Sequence, residues 1–96
     1  MRKYEIMYVL RADLNEEARQ EMVTYYADVL TKNGATVTKT DDWGIRDLAY
    51  NIQKQSKGYY VVLETEATNE AISEFTRLAR INESTLRFIA IRDERK

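Results

Sequence analysis

Trp43-Gly44-Ile45-Arg46-Asp47-Leu48-Ala49-Tyr50-Asn51-Ile52 is the stretch that decides the fold of this 96-residue chain. It follows an acidic pair, Asp41-Asp42, and sets a glycine inside a run of strand formers. Leu48, Tyr50 and Ile52 then recur at every second residue, the spacing of a half-buried β-strand. Shortly after, Gly58-Tyr59-Tyr60-Val61-Val62-Leu63 opens another strand, and the pair reads as a hairpin closed by a turn bearing Gln, Ser, Lys and Gly. Leu48, Tyr50 and Ile52 are expected to point into the core, as is Val37. Gly44 is expected to mark a bulge or bend that re-aims the strand.

The rest of the chain falls into place around that hairpin. Residues 2–11 alternate, with Tyr4, Ile6, Tyr8 and Leu10 on one face and Lys3, Glu5, Met7 and Val9 on the other. Asn15 is a good N-cap, Glu16 and Glu17 suit the positive end of a helix dipole, and Asn33-Gly34 is a stop, so a helix is predicted over 16–32. The long strand spans 35–52, whole or joined near Trp43-Gly44, and its partner spans 58–66. A second helix follows a Thr68/Asn69 cap and buries Ile72, Phe75, Leu78 and Ala79. The last strand, 85–92, alternates Leu86, Phe88 and Ala90 with Arg87, Ile89 and Ile91, and residues 93–96 form a short tail. The order β-α-β-β-α-β, with right-handed crossovers, predicts an α+β, ferredoxin-like fold: a four-stranded antiparallel sheet with two helices on one face. Residues 1–96 are expected to form a single domain.

Composition narrows the chemistry. The chain is 44% hydrophobic and 32% charged, lacks proline and has three glycines, as a globular domain does. No apolar run approaches the length of a membrane span, and Met1-Arg2-Lys3 leads directly into strand alternation rather than a signal peptide. Zero cysteine removes disulfides and thiol nucleophiles. Zero histidine removes the commonest general base and the commonest transition-metal ligand together. The formal charge is −1 and the pI about 5.5, unlike a freestanding nucleic-acid binder. Yet the charge is uneven. Asp13 to Asp28 holds five acids and one base, whereas Arg77 to Lys96 holds six bases and three acids.

Function is expected on the sheet face that the helices leave uncovered. Alternation puts Lys3, Met7, Val9, Tyr60, Val62, Arg87, Ile89 and Ile91 there, a cluster too apolar to face water unpartnered. Tyr60, Val62, Ile89 and Ile91, with Trp43 at the strand irregularity, are the candidate protein-partner interface. Trp43 either caps the core edge or meets the partner, and the sequence leaves both readings open. Arg2, Lys3, Arg46, Arg87 and Arg92 are candidate RNA contacts, because a guanidinium matches phosphate oxygens in a fork. Lys57-Gly58-Tyr59-Tyr60-Val61-Val62 matches part of an RNA-recognition-motif pattern, but Val61 and Glu64 stand where stacking aromatics belong. Tyr4, Tyr8, Tyr25 and Tyr59 read as core residues. Asp13, Glu16, Glu17 and Glu21 read as helix capping rather than a metal cluster.

Met1-Arg2-Lys3-Tyr4-Glu5, Asn33-Gly34, the W-G-x-R-x-L-A-Y-x-I segment at 43–52, Gly58-Tyr59-Tyr60 and Arg87 together resemble the bacterial small-subunit ribosomal protein six family. The resemblance spans the chain, and the 43–52 segment is its specific part. It implies a non-catalytic, structural constituent of the small ribosomal subunit, cytoplasmic and ribosome-bound, without cofactor or metal. It also implies binding to the central domain of the small-subunit (16S) ribosomal RNA together with small-subunit ribosomal protein eighteen. Family members often carry a base beside the motif arginine. Here Ile45 and Asp47 flank Arg46, and an aspartate there repels phosphate, so Arg46 is expected to contact RNA sparsely or to salt-bridge locally. Two rival classes remain: a small enzyme of the acylphosphatase type, and a ligand-sensing dimer domain using the open sheet face. For the first, Arg11-Ala12-Asp13-Leu14 supplies an arginine after strand one but no glycines to form a phosphate cradle.

Overall fold

The computed structural model describes residues 2–52 and 54–92. Its elements are β1 (Arg2–Arg11), α1 (Glu16–Lys32), β2 (Thr36–Ile52), β3 (Gln55–Ala67), α2 (Asn69–Ile81) and β4 (Thr85–Arg92). The strands form one antiparallel sheet in the order β2-β3-β1-β4, so the fold is the ferredoxin-like one that the pattern predicts. The tail predicted at 93–96 lies outside the described residues. Among those residues, no helix is long and apolar enough to cross a membrane.

Both helices begin and end where local chemistry tells them to. The Asn15 side-chain oxygen accepts from the Ala18 amide at 2.8 Å, and Glu16 and Glu17 fill the first turn of α1. Gly34, at φ +88°, lets the chain double back so that the amides of Gly34 and Ala35 bond the carbonyls of Thr31 and Leu30. For α2, Thr68 is the cap, accepting from the Ala71 amide at 3.3 Å. The Tyr4 hydroxyl donates to Asn69 Oδ1 at 2.7 Å, which ties the start of α2 to β1.

The helices close one face of the sheet. Tyr8 from β1, Tyr26 from α1 and Phe75 from α2 are fully buried there, among Ile6, Leu10, Leu30, Val61 and Leu63. Their rings meet edge to face, with Tyr8–Tyr26 centroids 4.8 Å apart and Tyr26–Phe75 centroids 5.1 Å apart. Tyr26 and Thr85 share a hydrogen bond that anchors α1 to the start of β4. The Tyr8 hydroxyl has no partner in this core, and burial pushes its pKa well above the ordinary tyrosine value. Tyr25, predicted to be inward, is instead exposed, and its neighbour Tyr26 takes the core position. Successive helical residues point in different directions, and Tyr26 is the one that shares the buried stripe with Val29 and Leu30.

β2 departs most from expectation. Leu48 and Tyr50 lie not on the core face but on the opposite one, and Tyr50 is 61% exposed. Ile52, past a third irregularity between Asp47 and Ile52, pairs with Gln55 and keeps the helix-side parity. The reason is a count of bulges. Val37 faces the helices, paired with Thr65; an irregularity at Thr38 then shifts the inward positions to Thr40 and Asp42. A second at Trp43 shifts them back to Ile45 and Asp47. One bulge would have turned Leu48 inward, but two restore the original parity and turn it out. Gly44 is the bend that the sequence predicts: it has φ +76°, and Asp42 Oδ1 accepts from its amide at 2.9 Å. The hairpin turn is also tighter than predicted. Ile52 pairs with Gln55, Lys54 sits at φ 65°, and Gly58 lies inside β3 rather than in the turn.

Candidate protein and RNA interface on the open sheet face

The face away from the helices is laid out in rows across the strands. One row runs Gly44, Tyr60, Val9, Arg87; the next runs Asp41, Val62, Met7, Ile89; a third runs Lys39, Glu64, Glu5, Ile91. Ile89 and Ile91 remain 44% and 52% exposed, which makes the β4 side of this face an apolar strip open to water. Val62 shares the face but is buried, so it supports the strip rather than presenting area.

Trp43 resolves its open reading by where the bulge turns it. Its ring lies nearly parallel to Tyr60, at 14° with centroids 6.3 Å apart, and it is 47% exposed. It therefore extends the open face and does not seal the core. The Arg46 guanidinium sits 5.3 Å from the Trp43 ring centroid, and its Nε donates to the Trp43 carbonyl at 3.4 Å. Asp47 points to the other side of the strand and lies 3.9 Å from Lys57 Nζ. The local salt bridge expected of Arg46 is not among the ion pairs of the described residues, because alternation separates it from Asp47.

The candidate RNA contacts fall into separate groups. Arg2 and Lys3 are exposed at the start of β1, beside Arg92, whose backbone pairs with Tyr4. Arg46 and Arg87 lie at the other end, on the rows of Gly58 and Val9. From Lys3 to Val9 is about 20 Å along a strand, so no single phosphate reaches both groups. The first end is crowded with carboxylates: Glu66 stands opposite Lys3, Glu5 opposite Glu64, and Lys39 lies 3.6 Å from Asp41 and 3.9 Å from Glu64. The second end holds Arg46 and Arg87 against aromatic rings, a better setting for an incoming anion.

What the sequence did not reveal is that the β2–β3 hairpin past Gly44 folds over this second end. Leu48 lies against Gly58, where an added Cβ would stand 3.2 Å from Leu48 Cδ2 and collide with Val9 Cγ1. Val9 is consequently 1% exposed although no helix touches its face. The Tyr50 hydroxyl accepts from Arg87 Nη1 at 3.0 Å, joining residues from opposite edges of the sheet. The alternation of Leu48 and Tyr50 was the available signal; the face it served depended on the bulge at Thr38, which no glycine or proline announces.

On the helix side, Tyr59 donates to Asp42, and Arg19 lies 4.7 Å from the Tyr59 ring centroid while bonding the Leu14 carbonyl. Burial first, and then the Asp42 carboxylate, raise the Tyr59 pKa. This knot fastens α1 to the sheet edge. Arg11, the arginine an acylphosphatase-type site would need, has its fork engaged by Asp13, with Nε–Oδ1 at 3.0 Å and Nη2–Oδ2 at 2.9 Å. That hydrogen bond holds the Asp13 carboxyl below its usual range. No group of His, Cys, Asp and Glu among the described residues is arranged to hold a metal ion.

The fold is similar to that of 30S ribosomal protein S6 from Thermotoga maritima, with a TM-score of 0.91 at 24% sequence identity, over 96% of this chain and 87% of that one. A hydantoinase/carbamoylase-family amidase from Burkholderia phymatum also matches, with a TM-score of 0.43 and 12% identity over 98% of this chain and 28% of that one. That likeness is too weak to carry any argument. The family model for ribosomal protein S6 matches residues 3–92, nearly the whole chain and all of its elements but the first residue of β1. The chain belongs to the ribosomal protein S6 family, a family of structural components of the small ribosomal subunit.

Proposed function

We propose that this protein binds the central domain of the small-subunit (16S) ribosomal RNA jointly with small-subunit ribosomal protein eighteen, as a ribosome-bound component of the cytoplasm. The observation that carries the reading is the open sheet face, where an exposed apolar strip adjoins arginines that aromatic groups hold. Ile89, Ile91, Trp43 and Tyr60 would meet the protein partner, with Val62 beneath them. Arg46 and Arg87 would take phosphates at one end, with Arg2, Lys3 and Arg92 as a second, weaker group at the other. A chain of net charge −1 has little general attraction for a polyanion, so a basic partner must supply most of the counter-charge.

Binding of central-domain RNA, measured over a series of salt concentrations with and without the partner protein, tests this. The expected result is negligible affinity for the protein alone and salt-sensitive binding of the pair. Tight RNA binding by the isolated protein at physiological salt would overturn the joint mechanism.

A further inference from the structure

Arginines at the surface of this protein are held in chemically distinct ways. Arg11 and Arg77 have their forks on carboxylates, Asp13 and Glu74 respectively, and those charges are locally cancelled. Arg87 is held by a neutral group. Its Nη1 donates to the Tyr50 hydroxyl at 3.0 Å, and its guanidinium carbon lies 5.9 Å from the Tyr50 ring centroid. A phenol orients a guanidinium without neutralising it, so the positive charge stays available to an anion. Among the described residues no acceptor engages Nε or Nη2 of Arg87, and the parallel N–H groups of that edge match paired phosphate oxygens.

Tyr50 can do this only because the hairpin lies across the sheet. Leu48 rests in the notch that Gly58 leaves beside Val9, and this brings a residue of edge strand β2 within reach of edge strand β4. We propose that Tyr50 is a positioning residue for Arg87, fixing its guanidinium with the Nε–Nη2 edge outward to receive an RNA phosphodiester. This rests on the RNA-binding reading above. An arginine that is already oriented loses less side-chain freedom when the phosphate arrives, which is where the affinity gain originates.

Tyr50→Phe keeps the ring and removes the hydroxyl. In the protein alone, ¹⁵N relaxation at Arg87 Nε should report an ordered guanidinium in the wild type and a looser one in Tyr50→Phe; equal order in both would overturn the positioning role. With the partner protein present, Tyr50→Phe should weaken binding of central-domain RNA about 3- to 10-fold. The slope of log affinity against log salt should stay unchanged, since no charge is lost. Arg87→Met should lower that slope by about 0.7–0.9. The double variant should bind no worse than Arg87→Met, because Tyr50 acts only through Arg87. Additive losses would show a merely structural role and overturn the proposal. If wild-type protein and partner bind no RNA, the functional reading itself fails; if they bind and Tyr50→Phe matches wild type, the positioning role alone fails.

Discussion

The two faces of this sheet are made by the same strands, yet they are closed by different means. On the helix side, long-range packing of Tyr8, Tyr26, Phe75 and their neighbours excludes water from the central strands β1 and β3. On the other side, closure is local: a hairpin arm from the sheet itself covers Val9 and leaves Ile89 and Ile91 bare. A face sealed by separate helices can be optimised for stability alone. A face sealed only at one end by its own hairpin keeps apolar area and charge exposed, and that is the face on which we propose partners bind.

The largest way to break this contrast is Phe75→Ala. Its ring is fully buried and touches Tyr8, Tyr26 and Phe88, so the loss should be about 3–5 kcal/mol in a urea titration. A loss under about 1 kcal/mol would mean that the helices do not seal the core as described. Gly58→Ala should cost about 1–3 kcal/mol, since the new methyl meets Val9 and Leu48 together. It should also speed hydrogen exchange in the arm while leaving α1 and α2 protected. Uniform loss of protection would deny the arm its separate status.

Alkaline pH sharpens the comparison from the core side. In the unfolded chain a tyrosine loses its proton near pH 10, whereas Tyr8, Tyr26 and Tyr59 hold theirs higher because burial disfavours the phenolate. Below pH 10 both states are protonated and that stability is fully present; above it the unfolded state is favoured, by at most about 1.4 kcal/mol per pH unit per tyrosine. Denaturant midpoints measured from pH 9 to 11 should fall, and less steeply in Tyr8→Phe. A flat profile would contradict the burial of these hydroxyls. The smallest effect on stability is expected for Ile91→Ser, within about 0.5 kcal/mol, because the side chain is already half in water. Its binding to the partner protein should nonetheless weaken about tenfold, or about 1.4 kcal/mol; unchanged binding by titration calorimetry would remove β4 from the interface.

Much of this was legible from residue order. The caps at Asn15 and Thr68, the stop at Gly34 and the alternation in β1 and β4 are local chemistry, and each element formed where its own residues placed it. The candidate site was legible only in part. Arg87, Ile89 and Ile91 follow from plain alternation in a regular strand, while Trp43 and Arg46 required knowing where β2 bends. Tyr50 was misassigned because parity along β2 depends on every irregularity in its register, and only the one at Gly44 leaves a mark in the sequence.

Sequence by itself determined the element order, the helix caps and the family signature at 43–52, since these depend on short-range propensities and periodicity. Only the tertiary structure decided which side of the sheet Leu48 and Tyr50 would cover, and that Arg87 would be held by a phenol rather than a carboxylate. Those outcomes come from register, in which a single extra residue moves every later side chain to the other face, and register is set by the partner strand rather than by the segment alone.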